Sequence, residues 1–315
     1  VLSQEQTEKF RNEGYLVLED VIDKPTRLAV INEYAALMDR LYAQWHADGL
    51  VPAPTSGMSF WEKLDIAYRA GFDWYQPLDI SLPHADIRSD TPMHIGPAVF
   101  AMATHPGILD IAESVIGPEL TSNPIQHVRI KPPERLVAGD ESRAHIVSTD
   151  WHQDRAVTLE SADETEMITV WLAMTDATVE NGCLQVKPGV EPEMIPHCTM
   201  KQVGISQKLL PRRAAVPAPV KAGGAVIFHP LTPHASLSNQ SDGYRWSFDL
   251  RYNVTGQSTG RDQFPSFVAR SRANPETELR DWTRWKSMWE DTRAKLAQEE
   301  HIPQHRWPSD GPYCA

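Results

Sequence analysis

The chain has 315 residues, 41% of them hydrophobic, and 30 Lys and Arg against 42 Asp and Glu leave a formal net charge of -12. That length allows a substantial core in one large domain or two, and with no internal repeat or long polar linker we read one elaborated domain. The acidic balance opposes a phosphate backbone, so nucleic acid is not an expected partner, and no apolar run approaches the roughly 20 residues that span a bilayer.

The opening VLSQEQTEKF has neither the basic nor the apolar stretch of a signal peptide, so we expect a cytoplasmic protein with no membrane partner. Within it, Ser3 followed by Gln6 is a capping-box pattern, and the helix it starts should stop near Gly14 before a short strand in YLVLEDV. Pro25 opens a long amphipathic helix whose Leu28, Ile31, Tyr34, Met38, Leu41 and Trp45 recur at steps of three and four. Residues 49 to 96 are rich in Pro, Gly and Ser around one short helix near Trp61 to Ala70. So long an irregular segment is more often a lid or binding loop than filler. A further helix, around Pro97 to Val115, should end at Gly117.

From about residue 124 the period becomes alternating. IQHVRIK, EMITVWLAM, CLQVKPG, AAVPAPV, GAVIFHP, HASLS and YRWSFDLRYNV are strand candidates separated by Gly, Pro, Asn and Asp. With no helix between most of them, they predict an antiparallel double sheet or jelly-roll barrel. Asn274-Pro275 looks like the start of a terminal helix whose Trp282, Trp285 and Trp289 share a face. That stripe reads most simply as core, and otherwise as the interface of a possible homodimer. The whole is a mainly β chain with flanking helices: a helical part at 1–120, a jelly-roll core at about 121–256 and a helical extension at 257–315. Cys183, Cys198 and Cys314 form no CxxC pair and are odd in number, so we read them as reduced thiols.

The pattern His-x-Asp occurs at His46-Asp48, His84-Asp86 and His152-Asp154. A two-histidine, one-carboxylate triad binds Fe(II) at three neighbouring corners and leaves three positions open. Residues i and i+2 share a face on a strand but diverge by about 200° on a helix. His46 and Asp48 lie at the tail of the long helix, and His84 and Asp86 follow a proline in irregular chain; only His152 and Asp154 leave a strand-like run. For a third ligand, GGAVIFHPLTPHASLS offers His229 and His234, and eleven residues after the second comes Arg245. A guanidinium fork suits the far carboxylate of a 2-oxo acid chelated to such a metal. Arg245, Ser247, Asp249 and Arg251 share one strand face, so Arg251 is a rival, and pairing of Asp249 with either arginine is the structural alternative.

The residues WHQD (Trp151 to Asp154), VWLAMTDATVENGCLQVKPG (Val170 to Gly189), GGAVIFHPLTPHASLSN (Gly223 to Asn239) and the arginine in YRWSFDLRYN resemble the phytanoyl-CoA dioxygenase family of Fe(II)- and 2-oxoglutarate-dependent oxygenases. The likeness covers roughly residues 145 to 253, and KPP at Lys131 to Pro133 is in keeping with it. It implies a double-stranded β-helix of cupin-like form, with His152, Asp154 and His234 as iron ligands. It makes Arg245 the partner of the far carboxylate of 2-oxoglutarate, with Ser236 adding a hydroxyl and Trp171 lining the cosubstrate pocket. Where relatives commonly read PGSH, this chain has Pro188, Gly189, Val190 and Glu191, so no role is carried over to that serine and histidine.

The resemblance implies that O2 and 2-oxoglutarate are consumed, with succinate and CO2 formed, as an unactivated C–H bond of a small molecule is oxidised. A carboxylate at Asp154 argues for hydroxylation, desaturation or ring formation over halogenation, for which relatives carry a small residue there. A cupin-type isomerase or dioxygenase without 2-oxoglutarate is the alternative, although it would usually carry His-x-His and have no need of Arg245. The pocket should be closed by residues 49 to 96 and by the loop around 190 to 213, which carries Arg212 and Arg213. Gln126 is counted with the cosubstrate-binding residues, and Arg129 and His94 are further polar candidates for the pocket.

Overall fold

The computed structural model describes residues 1–199, 202–299 and 306–314. Helix α1 (Gln4–Glu13) is closed at both ends as its sequence prescribes. Ser3 and Gln6 exchange side-chain-to-backbone hydrogen bonds, and Gly14, at φ 74°, turns the chain into strand β1 (Tyr15–Leu18). Helix α2 (Lys24–Ala47) buries Val30, Tyr34, Leu37, Met38, Tyr42 and Trp45, and α3 (Phe60–Ala70) packs beside it.

The single helix expected after Pro97 is two, α4 (Pro97–Ala103) and α5 (Pro106–Ile116). Pro106 biases the residue before it out of the helical region, and His105 is extended, with ψ 132°. Contrary to expectation, Pro97–Ile116 is a stretch of 20 residues with mean hydropathy 1.2, long and apolar enough to cross a bilayer by composition. Here it is broken at Thr104 and His105 and lays Val99, Phe100, Met102, Ile108 and Leu109 into the core.

The strands are β2 (Glu119–Lys131), β3 (Met167–Ala173), β4 (Leu184–Val186), β5 (His197–Thr199), β6 (Val203–Ile205), β7 (Val216–Ala218), β8 (Ala225–Phe228), β9 (His234–Ser236), β10 (Arg245–Val254) and β11 (Phe267–Ser271). The larger sheet runs β1-β8-β3-β10-β2-β11, the smaller β7-β4-β9, and β5-β6 is a separate hairpin; the pairings are antiparallel. Alternation decides what each face meets. Ile168, Val170, Leu172, Phe248, Leu250 and Tyr252 pack against the helices. Trp171, Ala173, Val226 and Phe228 point the other way and meet Leu184, Val186 and Ala218 of the smaller sheet. The polar face of β10 looks into the same interior.

The sheet is wider than residues 121–256. β1 supplies one edge from the N-terminal part, and β11 supplies the other from an extension expected to be helical. The terminal helix α6 (Trp282–Leu296) is capped by Asp281, while Asn274-Pro275 makes only a short turn. Trp285 and Trp289 lie against Phe100, Phe264 and Phe267, so these two members of the stripe are core, while Trp282 is partly buried.

The reading of three reduced thiols is corrected: Cys198 and Cys314 form a disulfide, and only Cys183 is free. The pair is separated by 116 residues and is brought together by the C-terminal segment, where the carbonyls of Trp307 and Pro308 accept from Thr199. No local spacing records a pairing made by tertiary contact.

Candidate metal and cosubstrate site

His152 lies beside β9, the strand that carries His234, and the two are fixed to each other by the backbone. Each N–H donates to the other's carbonyl at 3.0 Å, an isolated antiparallel bridge. His152 is not in a longer strand, and Asp154 begins a short 3-10 turn. The i, i+2 argument still holds because Gln153 between them is extended, at φ -113° and ψ 138°.

Asp154 Oδ1 lies 3.6 Å from His152 Nε2 and 3.7 Å from His234 Nε2, and the two rings are 4.2 Å apart. These spacings exceed a hydrogen bond and leave room for a divalent ion about 2.1 Å from each atom. The tautomers are set from behind. His152 Nδ1 donates to Asp150 O at 2.8 Å and His234 Nδ1 to Thr232 O at 3.0 Å, so both Nε2 lone pairs face inward. Burial, then His152, pushes His234 down to about 3, which keeps it neutral and able to ligate.

Asp154 is fully buried. Burial pushes its carboxyl up, but Arg251, His152 and His234 together hold it well below the usual range. Arg251 donates from Nη2 to Oδ1 at 2.8 Å and from Nε to Oδ2 at 3.2 Å, and Thr169 Oγ1 also donates to Oδ2. Arg251 is thus taken up by Asp154, and Asp249 pairs with neither Arg245 nor Arg251 but with Arg129.

Arg245 is 1% exposed, with no ion pair to a carboxylate among the described residues. Its guanidinium lies 4.9 Å from the Trp171 ring centre, and Nη1 donates to Ser247 Oγ at 3.0 Å. Arg245 Nε and Trp171 Nε1 are buried donors with no acceptor among the described residues. Across the ladder from Arg245 is Lys131, whose Nζ donates to Ser236 Oγ and Leu237 O, each at 2.7 Å. Burial and neighbouring cations push Arg245 down to about 9 and Lys131 well below its ordinary range. Two buried cations and two orphan donors with no facing anion are costly unless a carboxylate arrives. The KPP motif alone does not place Lys131 here; its strand parity with Arg129 is the signal that does.

Gln126 does not reach this site: its amide donates to Ile80 O at 2.9 Å, and its neighbours Ile125, His127 and Arg129 line the cavity instead. His94 is satisfied by Glu33 at 2.8 Å, and Arg213 pairs with Glu191. His229 accepts from Leu231 N, and His46 lies by Val51 O, away from the triad. The cavity, about 440 Å³, includes His152 in its wall, and Tyr75, His84 and Thr199 from the two loops line it. Residues 142 to 149 were not expected there, yet Arg143, His145 and Thr149 complete it.

Comparison with known proteins gives the context. The profile of the phytanoyl-CoA dioxygenase family, PhyH, matches residues 10–247. The phytanoyl-CoA dioxygenase domain-containing protein 1 of Danio rerio is 26% identical over 270 residues, which span 78% of this chain and 88% of that protein. Among solved structures, the apo non-heme monooxygenase ThoJ superposes with a TM-score of 0.58 at 19% identity, covering 92% of this chain and 98% of its own. The epimerase SnoN, in complex with Fe3+, alpha ketoglutarate and nogalamycin RO, gives 0.51 at 20% identity, covering 82% and 86%. At those identities the likeness speaks to the jelly-roll fold. The profile match spans most of the chain, which belongs to the phytanoyl-CoA dioxygenase family.

Proposed function

We propose that this protein is a non-haem Fe(II)- and 2-oxoglutarate-dependent oxygenase that hydroxylates an unactivated C–H bond of a small organic molecule. The observation that carries the reading is the pairing of two sites in one barrel: two inward imidazole nitrogens beside Asp154 Oδ1, and a buried Arg245 with no anion facing it. Family membership supports the reaction class.

In this reading His152, Asp154 and His234 hold the iron, while Arg245, Lys131 and Ser236 take the far carboxylate of 2-oxoglutarate against the Trp171 ring. The metal and cosubstrate, when bound, supply oxygen activation coupled to decarboxylation. The chain's own part is orientation and exclusion of water. Arg251 and Thr169 fix Asp154, backbone carbonyls fix both imidazoles, and the loops from 49–96 and 190–213 cover the cavity where substrate would lie. Hydroxylation is favoured over halogenation because a carboxylate fills the position where a halide would need space. A cupin-type enzyme without 2-oxoglutarate fits less well, since it gives Arg245 and Lys131 nothing to bind.

Anaerobic visible absorption of the stripped protein with Fe(II) and 2-oxoglutarate tests this. A weak charge-transfer band is expected, absent in His234→Ala and requiring far more 2-oxoglutarate in Arg245→Ala. A wild type that binds iron but gives no band would remove the cosubstrate from the reading and leave the cupin-type alternative.

A further inference from the structure

Beside the triad, in the wall of the same cavity, three more histidines converge. One ring nitrogen from each of His84, His127 and His145 falls within 4.8 Å of the others, and these three belong to different segments of the chain. His127 has the support of a metal ligand: its Nδ1 lies 2.8 Å from Asp79 Oδ2, while Asp79 Oδ1 accepts from Ile80 N and Val128 N, each at 2.9 Å. A carboxylate behind one ring nitrogen fixes the tautomer and turns the other nitrogen's lone pair outward. His145 is stacked on Tyr75, with rings 5.2 Å apart and 1° from parallel, and its buried Nδ1 has no partner among the described residues. The His127 and His145 rings are 4.3 Å apart, close to the 4.2 Å between His152 and His234. Burial pushes both His127 and His145 well below the usual histidine range, so both are neutral.

The surroundings tolerate a cation. Of the arginines in the wall, Arg129 is paired with Asp249, Arg143 with Glu141 and Asp73, and Arg251 with Asp154. His84 has another neighbour, Arg261, whose Nη1 lies 3.3 Å from its Nδ1. An ion would draw His84 from this long contact, which makes His84 the weakest of the three ligands.

We propose that His84, His127 and His145 form a second divalent-metal site, of the zinc or nickel class that imidazole suits, with an open position toward the cavity. Through that position the ion would hold an oxygen-donor group of the small molecule; this last step rests on the oxygenase reading, whereas the site itself does not.

The test is equilibrium dialysis of the chelator-stripped full chain against Zn2+ alone, counting ions bound. Wild type should take two per chain, His234→Gln one and His145→Gln one, with folding of each checked by circular dichroism. Asp79→Asn, which keeps shape and an acceptor, should weaken one of the two ions about 10- to 100-fold. A wild type that takes one ion, or two that both survive in His145→Gln and Asp79→Asn, overturns the proposal. If His234→Gln keeps two while His145→Gln loses one, the second site stands and the triad reading fails.

Discussion

Arg251 holds Asp154 with both sides of its fork, Nη2 at 2.8 Å from Oδ1 and Nε at 3.2 Å from Oδ2. The arginine that looked like a competitor for the cosubstrate is thus a support for Asp154. Replacing it with Met leaves a buried carboxylate without its counter-charge, which costs about 3–5 kcal/mol of apoprotein stability. Iron affinity should also fall about 10- to 100-fold, because Asp154 is no longer aimed. The 2-oxoglutarate requirement at saturating iron should barely move. Metal titration and thermal melting separate these outcomes, and a large cosubstrate effect would return Arg251 to the rival role.

Lys131 gives the opposite pattern. Its ammonium is buried opposite Arg245 with only a hydroxyl and a carbonyl as partners, so Lys131→Met should raise the melting temperature of the apoprotein. The same change should abolish most of the stabilisation by 2-oxoglutarate, which for a ligand at 100 times its Kd is about 2.7 kcal/mol. Melting with and without 2-oxoglutarate checks both halves. A variant less stable than wild type and still stabilised by 2-oxoglutarate would show that the lysine is architecture.

Much of this was legible from periodicity. Alternation along RWSFDLRYN put Arg245, Ser247, Asp249 and Arg251 on one face, and that face does line the barrel. Parity on β2 holds too: Ile125, His127 and Arg129 line the cavity, whereas Gln126, of the opposite parity, donates to Ile80 O, in the stretch where β2 and β10 change register between Asp249 and Arg251. Strands as short as β5 and β6 carry too few residues to show a period, and β11 lay where a helical return was expected. His84 was weighed only with its sequence neighbour Asp86, whereas its partners His127 and His145 come from elsewhere in the chain. Long-range convergence of loops leaves no local pattern to read.

The disulfide ties the C-terminal segment to β5. Closing a loop of 116 residues restricts the unfolded chain, and on the chain-entropy view the effect is about 4–5 kcal/mol. Cys314→Ser, or reductant added to wild type, should therefore lower the melting temperature, and reductant should have no further effect on the variant. Metal stoichiometry should be unchanged, because neither cysteine is among the candidate ligands. Equal melting with and without reductant would mean that the bond does not form in solution.

Acid should loosen the triad through a residue outside it. His197 accepts from Gln153 N at 2.9 Å on Nε2 and donates from Nδ1 to Ile195 O at 2.6 Å, so it has no room for a second proton. Burial pushes it down to about 3 in the folded chain, against about 6.5 when unfolded. The folded state binds fewer protons in that window, so stability is fully present above about pH 6.5 and is lost as pH falls toward 3. The slope from this residue approaches about 1.4 kcal/mol per pH unit, and His229, pushed down to about 4 by burial, adds in the same direction. Protonation of His197 would expel the N–H of Gln153, the residue that spaces His152 from Asp154. Denaturant midpoints of the apoprotein between pH 4 and 7 should fall less steeply for His197→Gln than for wild type. Parallel curves would mean that the imidazole takes its proton without breaking the Gln153 contact, and that the acid sensitivity lies elsewhere.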